Sequence, residues 1–466
     1  MLGPSSKYRS TMFSPLVDVF GDQEVIRLFS EESLVAAWLE VERALADAQA
    51  ELRVIPAEAA REIAVAAVPE HVDLAALREQ TLVVGYPILP LLDQIVQRSP
   101  AAGRYLHRGA TTQDVMDTGL ALVGNRALGC IETSVRTLGD LLASLAEEHR
   151  RTVMPGRTHA QPAVPIAFGG KAAVWLSELT RHVERLRSAR AGLAIVQLFG
   201  AAGTAAALGP LSRDVRHGVA RRLRLRAVDV PWHTARDGVA EAAFALAALA
   251  GLCGRIAREV VELSRPEIGE LREEGGRHRG ASSTMPQKSN PIGSEAVIGM
   301  SVLAANHVGA LLVALQGTHE RSAGEWQVEW DAVPAVFAAA GGAAAGAARI
   351  VEGLRVFPER MRANLELEGG TIMAEAAMMA VGEALGRAEA HAAVYEACAL
   401  ARSERLSLAA ALRRTLAHEV LAILPPLEAV LAPDAYLGET DAIVTAACES
   451  WARVMSSPRA AGTARP

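Results

Sequence analysis

Aromatic side chains are scarce. Phe, Trp and Tyr make up 4 % of 466 residues, although apolar residues reach 50 %. A core short of rings must be filled by Ala, Leu and Val, which suits closely packed helices and argues against a β-sandwich. Cysteine is nearly absent as well. Cys130, Cys253, Cys398 and Cys448 stand far apart with no CxxC or Cys/His spacing. They read as buried small hydrophobes in a reducing compartment, with no structural metal and no disulfide framework. No excess of positive charge exists either, since the net charge is −6 and the one short basic cluster, at 221–226, reads as a solvated helix face. That removes the electrostatic case for nucleic acid. No apolar leader opens the sequence and no uninterrupted apolar run reaches spanning length, so no membrane contact and a cytoplasmic location are expected.

What the sequence has in abundance is helical periodicity. Leu34, Trp38, Val41, Leu45 and Ala48 mark a first helix over 31–53. Leu128, Ile131, Val135, Leu138, Leu142 and Leu145 step by three and four, as do Val239, Ala242, Leu246, Leu249, Cys253, Ile256, Val260 and Leu263. Leu176, Leu179, Val183, Leu186 and Leu193 give a third seam, and Val297, Ala304, Val308, Leu311 and Leu315 a fourth. Such seams predict long helices packed about 20° apart. The fold expected is all-α, in three helical regions: 1–107, a central long-helix bundle over 108–355, and 356–466, where Pro358 opens a run of short helices. Residues 80–90, with a glycine and two prolines, read as an irregular bend.

Three stretches carry chemistry. The first is Gly280-Ala-Ser282-Ser283-Thr-Met-Pro-Gln287-Lys288-Ser289-Asn290-Pro291. Its prolines and small residues predict a loop, and a helix opening at Ser294-Glu295 would set Lys288, Asn290 and the loop amides near a helix N-terminus, a natural anion site. The second, residues 107–118, sets His107, Thr111 and Thr112 beside a glycine just before a long helix, with Asp114 and Asp117 where capping is expected. The third, residues 156–170, holds Thr158 and His159 in a Gly/Pro-bounded loop, and imidazole can donate a proton near neutral pH.

The first string resembles the signature loop of the fumarase/aspartase superfamily, G-S-S-x-M-P-x-K-x-N. The second and third resemble that superfamily's H-x-G-x-T-S-x-D and T-H-x-Q-x-A motifs. The resemblance spans roughly residues 13–400. It implies Ser282 as catalytic base and His159 as the group assisting the leaving group. Lys288, Asn290, Thr111, Thr112, His107, Thr158 and Ser283 would then bind substrate, with Arg321 of His319-Glu-Arg321 joining them. It also implies a 20-helix core in a homotetramer whose active sites each draw on three subunits, with no cofactor.

Within the superfamily the chain looks most similar to the 3-carboxy-cis,cis-muconate cycloisomerase branch. Phe199-Gly-Ala-Ala-Gly-Thr, Pro231-Trp-His-Thr-Ala-Arg-Asp, and Glu325-Trp326 with Glu329-Trp330 carry this likeness. Adenylosuccinate lyases have phosphate-binding residues where these tryptophans stand. Thr158-His159-Ala-Gln161, however, looks like the fumarate-forming lyases, and Gln287 and Ser289 replace the His and Arg of the cycloisomerase loop. The expected reaction is therefore β-elimination from a substituted succinate, giving fumarate and an amine or nitrite, as in nitrosuccinate lyases. The alternative is cycloisomerisation of 3-carboxymuconate, a tricarboxylate. A non-catalytic structural role, as in the crystallins of this superfamily, would tolerate loss of the base or the lysine, and both residues are present.

Overall fold

The computed structural model describes residues 15–274, 280, 281, 284, 285 and 287–457. Its frame is five long helices: Thr112–Glu148, Phe168–Leu193, Asp237–Leu263, Ile292–Ala314 and Glu325–Glu352. They pack side by side as a bundle, and are called the first to fifth bundle helices. The seam residues read from the sequence lie in the bundle core, apart from Leu315, which follows the fourth helix and is 37 % exposed. The first helix has 37 residues, which at 1.5 Å per residue is about 55 Å.

A second core gathers Leu39, Leu45, Ile63, Leu91 and Ile95 of the N-terminal helices with Val215 and Val219. A third joins Val153 to residues of 365–427, around Met373, Val394 and Leu412. The final helix, Thr440–Ser456, has no counterpart in the sequence reading and returns to the bundle. Trp451 lies over Gly139, where an added Cβ would come within 2.1 Å of the ring, and its indole N–H donates to Asp140 at 2.8 Å.

Two local expectations change. Residues 80–84 are helical, in Leu74–Val84, and the bend comes only at Gly85, with φ of +88°. The stretch after the first bundle helix is a β-hairpin, β1 (Val153–Thr158) with β2 (Gln161–Ala167), rather than a loop. Its prolines are tolerated because a two-stranded ribbon leaves both outer edges unpaired. A second ribbon joins β3 (Leu271–Glu273) to β4 (Leu354–Val356).

The expectation about spanning segments also changes, because the third, fourth and fifth bundle helices are long and apolar enough to cross a membrane. In the third and fifth, 67 % and 83 % of the most apolar stretch is buried inside the chain, so this apolarity fills the core. In the fourth only 33 % is, leaving Val302, Leu312 and Val313 exposed.

Candidate active site

The bundle has two chemically distinct ends. Thr112 opens the first helix, and Thr111 before it forms a capping box with Asp114, whose Oδ2 accepts from the Thr111 amide at 3.1 Å. Asp114 does far more than cap. Fully buried, it also accepts from the amides of Phe199 and Gly200 and from His233 Nε2 at 2.9 Å. Capping was the reading for Asp117 too, and the structure corrects it. One turn further along the helix, its carboxylate is gripped on both oxygens by Arg236, at 2.8 and 3.0 Å, and takes the Trp326 indole N–H at 3.2 Å. Arg236 also donates through Nε to Glu329 at 2.8 Å. Burial pushes the Glu329 carboxyl up despite the guanidinium beside it.

Around this buried group lie some of the residues read as substrate-binding. Arg321 donates to Gln113 Oε1 at 3.0 Å, to the Ala201 carbonyl at 3.1 Å and to Thr111 Oγ1 at 3.4 Å. His107 is half-buried, and its Nδ1 donates to the buried Glu42 at 2.5 Å. Burial alone would lower the imidazole pKa, but the charge and hydrogen bond of Glu42, with Asp114 beyond, outweigh it and hold it above the usual value. Tyr86 stacks on Trp326, and Trp330 meets both rings edge-on.

The other end holds the remaining motifs. The tip of the β1–β2 hairpin carries Thr158 and His159, both exposed, with His159 and Ala160 at φ of +50° and +62°. Arg157 anchors this hairpin to buried Glu270 at 2.7 and 2.9 Å, and Asn364 completes the carboxylate at 2.7 Å. Glu270 lies just before β3, which leads to the signature loop. That loop is pinched at its neck, where Ala281 bridges Ser289 and the Asn290 amide donates to the Gly280 carbonyl at 2.9 Å. Gly280 takes φ of +70°, and a Cβ there would fall 2.3 Å from the Asn290 carbonyl oxygen. Lys288 is exposed and Asn290 half-exposed. Ser282 and Ser283 lie outside the described residues.

The helix after this loop begins at Ile292, earlier than expected, and its first amides are not open to an anion. Gly293 N and Ser294 N donate to the Glu273 carboxylate at 3.0 Å each, and Ser294 Oγ joins them. The chain's own carboxylate fills the anion site that the sequence suggested there.

His107, Thr111, Thr112 and Arg321 thus share the near end, while Thr158, His159, Lys288 and Asn290 share the far end. The first bundle helix separates the two groups. His107, His159 and His319 all adopt left-handed backbone conformations at motif positions, where non-glycine residues are strained and functional sites concentrate. Glu42, Gln113, His233, Arg236 and Glu329 were absent from the sequence reading of the site. All but Glu42 lie in stretches already singled out by their likeness, but their partners lie up to 208 residues away, so the pairings could not be read locally.

Comparison with known proteins matches residues 22–305 to the family described as Lyase, and residues 370–447 to the adenylosuccinate lyase C-terminus. This chain belongs to the fumarase/aspartase superfamily. Among its relatives, 3-carboxy-cis,cis-muconate cycloisomerase of Pseudomonas aeruginosa is 39 % identical, covering 90 % of this chain and 92 % of that protein. Trans-aconitate decarboxylase 1 of Mycosarcoma maydis is 35 % identical over 96 % and 89 % of the two chains. N-acetyl-S-(2-succino)cysteine lyase of Dickeya dadantii is 33 % identical over 83 % and 85 %. The crystal structure of the 3-carboxy-cis,cis-muconate lactonizing enzyme from Pseudomonas putida superposes with a TM-score of 0.89 at 34 % identity, over 95 % of this chain and all of that one. The superfamily assignment and the mostly helical fold expected from the sequence are both borne out.

Proposed function

We propose that this superfamily member is a homotetrameric enzyme that moves a proton at the carbon beside a carboxylate of a small polycarboxylate, and that its reaction is the cycloisomerisation of 3-carboxy-cis,cis-muconate. The observation that carries this reading is a match of charges. His107 paired with Glu42, Arg321 tethered beside Thr111, and Lys288 on the signature loop offer three basic side chains for three carboxylates. The relatives shift weight the same way, from an amine or nitrite leaving group towards lactone formation.

In that reaction one substrate carboxylate oxygen adds to the conjugated double bond, forming the lactone C–O bond. The electron pair moves towards a second carboxylate, whose aci form is stabilised by fixed positive donors, a contribution of several kcal/mol in comparable sites. A proton then adds to the carbon beside that carboxylate. The acid forms of substrate and lactone are isomers, and the carboxylate form takes up one proton, which solvent supplies. Ser282, by its place in the signature motif, exchanges the carbon-bound proton, while His159, Thr158 and Ser283 orient the reacting carboxylates with Thr112 and Asn290. Because the motifs sit at the two ends of a helix about 55 Å long, other subunits must complete each site. The apolar exposed face of the fourth bundle helix is suited to such contacts. Light scattering should give four times the 49.1 kDa subunit mass, and a fully active monomer would defeat this assembly.

A second reading, cleavage of a substituted succinate to fumarate, is favoured by Gln287 and Ser289 on the exposed loop, where the cycloisomerase pattern has cationic or ionisable side chains. The relative named for 2-succinocysteine cleavage supports it. Ultraviolet absorbance separates the two. Cycloisomerisation consumes the conjugated diene of 3-carboxymuconate, whereas elimination from succinates bearing thiol, amine or nitro groups creates fumarate. Rapid loss of the diene signal with no fumarate from any succinate is expected. The opposite pattern would replace the first reading by the second.

A further inference from the structure

Behind Arg321 lies a buried amide that the proposed chemistry leaves unused. Gln113 is fully buried, and its polar side-chain atoms all have partners. Its Nε2 donates to Asp117 Oδ2 at 3.1 Å and to the His233 carbonyl at 2.9 Å. A carbonyl can only accept, and the Asp117 carboxylate is already clasped by Arg236. The amide nitrogen must therefore face these two, and the oxygen must face Arg321 Nε, which can only donate. A flipped amide would set oxygen against oxygen on one side and N–H against N–H on the other. The surroundings thus dictate its orientation.

Asp117 is in turn immobile. Arg236 holds both of its oxygens and forks on to Glu329, and the Trp326 indole binds it from a third direction. The result is a continuous chain from Glu329 through Arg236, Asp117 and Gln113 to Arg321, buried until its last member. Arg321 spends three N–H groups on Gln113, Thr111 and Ala201. A guanidinium has five, so two remain without a partner among the described residues.

We propose that Gln113 is a positioning residue for Arg321, fixing its guanidinium so that the two remaining N–H groups meet one carboxylate of the bound polycarboxylate. This rests on the reading of Arg321 as a substrate-binding group. A long, flexible side chain must otherwise be ordered during binding, and prior fixation removes that cost. Gln113 itself touches no substrate, so its whole effect runs through Arg321.

A double-mutant cycle on the full chain tests this, with calorimetric titration of tricarballylate, a saturated tricarboxylate, as the probe. Arg321→Ala, Gln113→Met and their combination are compared with the unaltered protein, and thermal unfolding checks that each remains folded. Loss of a charge-assisted contact predicts about tenfold weaker binding or more for Arg321→Ala. Gln113→Met should lose a smaller factor, and the double variant should bind no more weakly than Arg321→Ala alone. Should Gln113→Met fail to fold, Gln113→Asn, which keeps the amide but shortens it by one methylene, gives the same cycle. If Gln113 has no effect, or weakens binding equally with and without Arg321, the positioning role is overturned while the Arg321 site stands. If Arg321→Ala binds the probe unchanged, the reading of Arg321 falls, and this inference with it.

Discussion

The two ends of the bundle are built on opposite plans. At the near end Asp114, Asp117, Arg236 and Glu329 are each 4 % exposed or less and bound to one another or to neighbouring backbone. At the far end the buried carboxylates, Glu270 and Glu273, serve the scaffold. Glu270 anchors the hairpin and Glu273 fills a helix N-terminus, while Thr158, His159 and Lys288 stand exposed. The first group of motif residues is thus tied to buried partners within the chain. The second stands outward, on two tips held at their bases. Rigidity in this fold is supplied where buried charges are paired, and exposure where the motif tips reach solvent.

That contrast can be broken most decisively at the far end. Ser282→Ala and His159→Ala should each lower turnover by about 10²–10⁴-fold. The unfolding midpoint of His159→Ala should stay unchanged, because its side chain is exposed. Mixing the two inactive proteins should restore measurable activity. A mixture no more active than its parents would mean that a single chain supplies both groups.

At the near end the expected loss is one of stability. Arg236→Met leaves two buried carboxylates without their cation, which costs about 3–5 kcal/mol. Lys288→Met, on the exposed loop, should stay within about 0.5 kcal/mol of the unaltered protein. Denaturant titration measures both, and equal stability of the two variants would erase the distinction between the ends.

A smaller effect is expected at the loop neck. Gly280→Ala forces a side chain into a left-handed conformation beside the Asn290 carbonyl, a strain of about 1–3 kcal/mol. Because the neck carries Ser282, Lys288 and Asn290, turnover should fall further than the melting temperature indicates. Full activity in the Gly280→Ala protein would show that the neck does not aim the loop.

The smallest effect concerns His107. Its pKa is raised in the folded protein, where the Glu42 carboxylate overcomes burial. The pair's contribution is therefore complete below the ordinary histidine value and is lost as pH rises through the folded one. The gap in melting temperature between the unaltered protein and Glu42→Gln should be widest near about pH 6 and close towards about pH 9. A gap independent of pH would remove the charged imidazole from the near-end cation set.

Much of this was legible in the residue order. The seam at Leu128, Ile131, Val135 and Leu138 lies in the core as its spacing implied, because a helix face is written locally. The motif residues were legible too, since each is compact in sequence. The last helix, Thr440–Ser456, and the β1–β2 hairpin escaped notice. The first owes its place to Trp451 seating on Gly139, more than 300 residues earlier in the chain, and the second is rich in prolines that suggest a loop.

Asp117 shows most clearly what residue order leaves open. Near a helix start, an aspartate reads as a cap, yet its fate was decided by Arg236, 119 residues away. The sequence by itself determined the superfamily, the helical class and the three motifs, because periodicity and short signatures depend on neighbours along the chain. Only the tertiary structure decided that Asp117 and Glu329 share one guanidinium, that Glu273 occupies the helix terminus, and that the motifs divide between two ends. Those outcomes depend on which charges burial forces together, and burial is a property of the packed chain.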